Sequence, residues 1–464
     1  MAKHPMGDVI VLLPGILGSV LERDGEEVWA PTPGAAWRAL RSLGRNVKAL
    51  RLTDDPVDED VLDDGVTATR LVPDVHLVPG LWGIDGYSGI RRMILDSFDV
   101  VPGVTYLEHA YDWRRDNRVA ARLLKARLDP ALAEARKANP DAKAVLVGHS
   151  MGGLVARWYL EKLDGWRDTR RLVTFGTPYR GSLNALDFIA NGFVKKVGPF
   201  TVADLSELLL SLTSVYQLLP VYPCLDLGGP ELVRVAESEG VPHLDTKRAV
   251  AALTDFHRAI EAAVAQRPEH AYEIHPVVGL TQPTLQSAAL AGGAVKLLRS
   301  RLGNDESGDG TVPRVSATPI ELGDNPSAVY ASQKHASLQN ADSVQTQLLG
   351  VLSQIAGLGS IRETRLGLSV ELDPVFEAGE PVGLTVGATV PNLTLAATVT
   401  DLGTGVSDGP HPLREDGDTG FSLELAPRPP GDYRVTVQGT DVSAQVVQPV
   451  TDVFMVVPSD PDAD

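Results

Sequence analysis

The stretch Ala144-Val-Leu-Val-Gly-His-Ser-Met-Gly-Gly153 decides how the rest of the chain is read. Its four apolar residues predict a buried strand, and the run that begins at Gly153 predicts a helix. Between them, Gly148-His149-Ser150-Met151-Gly152 places a serine at a strand–turn–helix junction, with glycine two residues before and two after it. So tight a turn leaves no room for larger side chains at those two positions, and it holds the serine backbone in a strained conformation. The hydroxyl then stands clear of the sheet end and faces the first turn of the following helix, where developing negative charge is favoured.

Outward from this stretch, β-branched runs at 9–13, 172–175 and 274–278 predict further strands of a parallel sheet. Segments 117–137 and 153–163 predict helices. Strand–helix alternation is the pattern of an α/β protein, and with the serine turn it predicts the α/β-hydrolase fold. Residues 183–267 read as mostly helical with Pro and Gly breaks, so a helical cap insertion is expected over about 183–270. After Ser360 the texture changes to short alternating segments at 366–372, 382–389, 394–400, 420–425, 433–438 and 445–457, separated by Gly, Pro and Asp turns. Regularly spaced short strands predict an all-β, immunoglobulin-like sandwich. The expected organisation is therefore a hydrolase domain at 1–358, a sandwich at 365–457 and an acidic tail at 458–464.

A serine hydroxyl needs a base to act as a nucleophile. In this fold the order along the chain is Ser, acid, His. Among the 10 histidines, six follow Ser150: His243, His257, His270, His275, His335 and His411. The first three lie in the expected cap, His275 sits within a strand run and His411 belongs to the sandwich. His335, in Gln333-Lys-His-Ala-Ser337 after a strand-like run, is the candidate base. Asp309, in Gly308-Asp-Gly-Thr-Val-Pro313, is the candidate acid, with Asp305 and Glu306 as near competitors. An oxyanion hole needs two backbone N–H groups. The expected donors are Met151, after the serine, and Ile16, in the turn Pro14-Gly-Ile-Leu-Gly18, where Gly15 and Gly18 are expected to let the chain turn sharply. Leu17, His149 and Trp82, the last within Leu81-Trp-Gly83, are the candidate substrate-contacting residues.

Together these motifs resemble the lecithin:cholesterol acyltransferase-like family of α/β hydrolases, which includes lysosomal phospholipase A2. Five pieces match in order: Leu13-Pro-Gly-Ile-Leu-Gly-Ser19, Ala110-Tyr-Asp-Trp-Arg114, Val147-Gly-His-Ser-Met-Gly-Gly153, Gly308-Asp-Gly-Thr-Val-Pro313 and the segment around His335. Phe175-Gly-Thr-Pro-Tyr-Arg-Gly-Ser182 and Gln282-Pro-Thr284 agree as secondary features. The resemblance implies triad roles for Ser150, Asp309 and His335 and oxyanion roles for Ile16 and Met151. It implies no catalytic role for Asp112, Trp113 or Arg114. The chain departs from the family in lacking a cystine-anchored lid, since Cys224 is its only cysteine, and in carrying the trailing β-segment. The residue usage, rich in Ala, Arg, Asp and Gly, is that of a bacterial member.

Composition bounds the function. The 464 residues carry a formal charge of −18, which argues against a nucleic-acid partner, because phosphate binding needs clustered Lys and Arg. Residues 360–464 hold 17 of the 60 carboxylates and 5 of the 42 basic residues, a net of −12. The hydrolase region is thus only mildly acidic and remains compatible with transient membrane contact. No disulfide, leader-like segment or membrane-length apolar run is evident, so a cytoplasmic protein is expected. The expected activity is a serine esterase or lipase cleaving carboxylic esters, chiefly acyl lipids, with transfer to an alcohol as a variant outcome. An esterase or amidase on a small soluble substrate is one rival reading. The other is an inactive hydrolase scaffold whose sandwich binds an unknown partner. No cofactor or metal is expected, and the Asp-rich stretches at 54–64 and 416–418 read as solvated turns.

Overall fold

The computed structural model describes residues 3–29, 50–73, 76–78, 82–197, 200–268, 271–323, 328–353, 366–417 and 419–459. Within those spans the side chains at 76–78, 82–84, 195–197 and 200–203 are outside the description. The expected domain boundary near 358–365 falls on residues 354–365, also outside it, as does His270.

Six strands form the central sheet: β1 (Val9–Leu13), β2 (Tyr106–Glu108), β3 (Ala144–His149), β4 (Thr169–Phe175), β5 (Glu273–Gly279) and β6 (Val329–Ala331). Their order is β2-β1-β3-β4-β5-β6, and every neighbouring pair is parallel. All of β1 and β3 are buried, as central parallel strands covered on both faces must be. The connections include α1 (Ser88–Ser97), α2 (Asn117–Ala138) and α3 (Met151–Lys162). Helices α2 and α3 pack together and both touch β1, whereas α1 packs with the helix Asp342–Ser353. The strand order leaves the end of β3 at the middle of the sheet, so the serine turn that follows it is flanked by the loops after β1 and β4.

The stretch from 183 to 267 is less uniformly helical than its composition suggests. Among the described residues seven helical pieces run from Leu183–Asn191 to Ala259–Val264, one of them the π-helix Ala252–Arg258. They are interrupted by the antiparallel hairpin Val194–Val197/Phe200–Asp204. A short strand, Leu225–Asp226, pairs with a second hairpin, Ser287–Ala291/Ala294–Leu298. Val194, Val197, Thr201 and Val202 favour strand over helix because of their β-branching.

Residues 366–457 form two sheets. One joins Leu368–Leu372, Val382–Ala388, Gly420–Leu425 and Arg414–Glu415, all antiparallel. The other contains, in order, Val375–Glu377, Val450–Val457, Gly431–Gly439, Leu395–Asp401 and Ser407–Pro412. Val370, Leu384 and Phe421 of the first sheet share a core with Val399, Val435 and Phe454 of the second. The strand Val450–Val457, β7 here, breaks the expected alternation. Phe454 and Val456 face that core, while Val453, Met455 and Val457 join the core of the parallel sheet. Its unbroken run Val453-Phe-Met-Val-Val457 is the mark of a strand buried on both faces.

The Tyr-Asp-Trp-Arg segment braces the loop after β1. Tyr111 Oη donates to the Pro14 carbonyl (2.7 Å), and Trp113 Nε1 donates to the Ser19 carbonyl (3.1 Å). Trp113 also packs edge-on against Trp29. The fully buried Arg114 guanidinium holds Asp112 (2.7 Å) and Asp64 (2.8 Å) and donates to the Leu50 carbonyl (3.2 Å). Removing one member of a buried ionic cluster strands the others, at a cost of about 3–5 kcal/mol. We therefore expect Arg114→Ala to lower the unfolding free energy by about that amount in urea titrations. A loss under ~1 kcal/mol would show that the cluster is not a structural brace.

Candidate active site

The turn after β3 takes the expected form. Ser150 has φ 51° and ψ −124°, a left-handed backbone that costs a non-glycine residue about 1–3 kcal/mol. The surroundings hold it there. Ser150 N–H donates to the Phe175 carbonyl (2.9 Å), and the Ser150 carbonyl accepts from Thr177 Oγ1 (2.9 Å). Both backbone groups are thereby satisfied by the end of β4, and the side chain is left to face the site.

The structure brings the three predicted polar residues together. Ser150 Oγ lies 3.0 Å from His335 Nε2, and His335 Nδ1 lies 2.7 Å from Asp309 Oδ2. The other carboxylate oxygen of Asp309 accepts the N–H groups of Thr311 (2.9 Å) and Val312 (2.7 Å), which fixes the plane of the carboxylate. The His335 N–H donates to the Asp309 carbonyl (2.8 Å), so acid and base loops are also tied through the backbone. All three residues are buried, with Ser150 only 5% exposed. Gly176 turns the chain beside this pair with φ 55°, and a Cβ there would stand 2.7 Å from Asp309 Oδ2 and 2.8 Å from His335 Nδ1. Only glycine permits the acid and base to meet there.

The competitors are engaged elsewhere. Asp305 accepts from Gln286 Nε2 and the Ser307 N–H, and Glu306 pairs with Arg301. His275 pairs with Glu273 across its own strand, His411 with Asp408, and the buried His257 bonds the Gln217 carbonyl.

The loop after β1 lies against the serine. A Cβ on Gly15 would come within 2.9 Å of Ser150 Cβ, and one on Gly152 within 2.5 Å of the Pro14 carbonyl oxygen. Ile16 is buried here, and Met151 heads α3, whose first amides have no intrahelical acceptor. The expected sharp turn forms and is closed by the Gly18 N–H on the Gly15 carbonyl (3.1 Å), but Leu17 and not a glycine takes the positive φ, 63°, and the glycines serve close approach.

Two of the expected substrate contacts are corrected. Leu17 is 2% exposed and packs in the core, and its carbonyl accepts from Trp29 Nε1. His149 lies beneath the turn with both ring nitrogens held by protein: Nδ1 is 2.9 Å from Tyr87 Oη, and Nε2 is 3.1 Å from the His335 carbonyl. Trp82 lies in the strand Trp82–Ile84, and its side chain is outside the described ones.

Burial pushes the His149 pKa down to about 3, with the adjacent His335 as a smaller cause, so His149 is neutral. Burial raises the Tyr87 hydroxyl well above its ordinary value, so it keeps its proton. Tyr87 Oη accepts from the Gly15 N–H (2.8 Å). It must then donate to His149 Nδ1, which leaves the His149 proton on Nε2, donated to the His335 carbonyl. One hydrogen-bonded line thus joins the loop after β1 to the loop that carries His335. Nothing in the local pattern around Tyr87 signals this role, because the partners are 62 or more residues away.

Among the described residues, no group of three or more His, Cys, Asp and Glu side chains is placed to hold a metal ion, and no helix is long and apolar enough to cross a membrane.

A parallel sheet with a serine on a strained turn after its central strand, faced by a histidine and an aspartate from later loops, defines an α/β hydrolase. Residues 93–288 match the sequence model of the family described as lecithin:cholesterol acyltransferase. Over that span, less than half of the chain, the sequence is similar to the lecithin:cholesterol acyltransferase family. Among curated proteins it is 31% identical over 173 residues to the uncharacterised protein YJR098C of Saccharomyces cerevisiae, covering 37% of this chain and 23% of that one. It is 29% identical over 125 residues to Phospholipase A(1) LCAT3 of Arabidopsis thaliana, covering 25% of this chain and 28% of that one. The chain thus spans about a quarter of the length of these relatives. Among solved structures, the lipase BlEst2 of Bacillus licheniformis in its propeptide form aligns with a TM-score of 0.30 and 13% identity, covering 98% of this chain and 93% of that one. The product of lin2722 from Listeria innocua aligns with a TM-score of 0.29 and 12% identity, covering 76% and 96%.

Two outcomes are expected here. Tyr87→Phe strands the Gly15 N–H and His149 Nδ1 and should cost about 1–3 kcal/mol in chemical unfolding, whereas an unchanged midpoint would rule out the line of bonds. The second concerns pH. Burial lowers His109 and His257 to about 4, beside His149 at about 3, from an ordinary value of 6.5. Below pH 6.5 the unfolded chain takes up protons that the folded chain refuses, so stability present at neutral pH is lost as pH falls from 6.5 toward 4. Three such histidines add up to about 4 kcal/mol per pH unit to the slope, and His109→Gln should remove about a third of it. Unfolding titrations from pH 7.5 to 4.5 measure this, and identical slopes for the two proteins would contradict it.

Proposed function

We propose that the chain is a serine hydrolase acting on carboxylic esters through an acyl-enzyme on Ser150. The observation that carries this reading is the unbroken contact from Ser150 Oγ through His335 to Asp309 at the head of α3. In the first step His335 Nε2 takes the hydroxyl proton as Ser150 Oγ bonds the ester carbon. The carbonyl oxygen becomes an oxyanion, which the N–H groups of Met151 and Ile16 stabilise. Asp309 accepts the Nδ1 proton and supports the imidazolium. As the carbon–oxygen bond to the alcohol breaks, His335 returns its proton to the leaving oxygen. Water, or a second alcohol, then gives a proton to His335, attacks the acyl carbon and releases Ser150.

The substrate class we favour is an acyl lipid. The family match and the plant phospholipase support it. We read residues 183–270 as a cap over the acyl chain and residues 366–457 as an immunoglobulin-like sandwich.

A fluorophosphonate probe and p-nitrophenyl butyrate test the chemistry, and a phospholipid vesicle assay tests the class. Ser150→Ala should abolish labelling and lower kcat by at least about 10³-fold. Equal labelling of both proteins would sink the serine assignment. Failure of folded wild type to label at all would favour an inactive scaffold.

A further inference from the structure

The residues that lead into His335 belong to no helix or strand, yet all three are held from outside the parallel sheet. Ser332 N–H donates to Gln448 Oε1 (2.9 Å). Gln333 Nε2 donates to the Pro449 carbonyl (2.6 Å), and Gln333 Oε1 accepts the Thr451 N–H (3.3 Å). Lys334 Nζ stands 3.2 Å from Asp452 Oδ2, both side chains less than one-fifth exposed. Every one of these partners falls within the five residues from Gln448 to Asp452, at the entrance to β7. Gln448 is itself fixed, with Nε2 donating to Ser343 Oγ (3.0 Å).

The acid loop has a matching tether. The buried Gln282 side chain pairs with the edge of Leu368–Leu372 as a strand would: Nε2 donates to the Leu368 carbonyl (2.8 Å), and Oε1 accepts the Val370 N–H (3.1 Å). The Gln282 backbone N–H meanwhile donates to the Gly308 carbonyl (3.0 Å), one residue before Asp309.

We infer that the C-terminal sheets are a positioning element for the triad, with Gln448–Asp452 setting the His335 loop and Leu368–Val370 setting the Asp309 loop through Gln282. The inference rests on the triad reading above. Irregular loops are mobile unless tied down, and a misplacement of about 1 Å in a reacting group can cost 10²-fold in rate. A module that only displayed a surface to a partner would have no need to spend buried glutamines on the residues next to the acid and the base.

The test uses the full chain. Gln448→Ala and Asp452→Lys are compared with wild type and with the exchanged pair Lys334→Asp/Asp452→Lys. Four quantities are read: kcat and KM on p-nitrophenyl butyrate, the fluorophosphonate labelling rate, and the thermal midpoint. The expected result is a fall in kcat and labelling rate of about 10- to 100-fold with KM within about twofold, and recovery of most of the rate in the exchanged pair. Folded variants with wild-type kcat and labelling rate would overturn the inference. So would a loss of rate that tracks the unfolded fraction and is not recovered by the exchange. If Gln448→Ala fails to fold, the Asp452 pair decides. If wild type and Ser150→Ala label alike, it is the triad reading that fails, and the positioning role falls with it.

Discussion

The strained turn at Ser150 is the constraint on which the rest of the site depends. A left-handed serine is tolerated only where its neighbours over-determine it, and here they come from three strand ends. The end of β4 satisfies both backbone groups of the serine, the loop after β1 packs against its Cβ, and α3 begins one residue later. Each of these neighbours then needs its own support. Tyr111 and Trp113 hold the loop after β1, and the buried Arg114 cluster holds them in turn. The requirement that one hydroxyl project from a tight turn thus propagates outward to Leu50 and Asp64, far along the chain.

A second layer is polar. Tyr87 and His149 carry a single directed line of hydrogen bonds from Gly15 to the His335 carbonyl, and burial keeps both groups neutral. Neutral donors and acceptors are suited to this place. A charge there would be costly to bury and would disfavour a protonated imidazole at His335 beside it. The histidine at position 149 is thereby a spacer between two loops, although its adjacency to the serine invites a substrate-facing reading.

The parts of the fold legible in the sequence were those whose signals are local. The run 144–153 carries its strand, turn and helix within ten residues, and Gly308–Pro313 carries the acid with the amides that orient it. What escaped is long-range. Leu17 takes the left-handed position although glycines stand on either side of its turn, because Gly15 and Gly18 are needed for contact with Ser150 and Tyr87. Gln282, Gln333 and Gln448 read as ordinary polar residues, since their meaning lies in partners between 86 and 118 positions away. The unbroken apolar run of β7 was readable in principle. Its second buried face is supplied by a different sheet system, which the period-2 pattern of an isolated sandwich does not register.

The double burial of β7 also bears on how the chain is made. This strand follows every other described strand and helix in sequence order, yet Val453, Met455 and Val457 complete the core of the parallel sheet. A polypeptide leaving the ribosome therefore presents its α/β half with an uncovered apolar face until residues beyond 450 have been translated. During that interval the half-built domain carries exposed apolar surface, the condition under which incompletely packed nascent chains are prone to aggregate. Since the same strand end ties down the loop that carries His335, completion of this core and placement of His335 beside Ser150 would coincide.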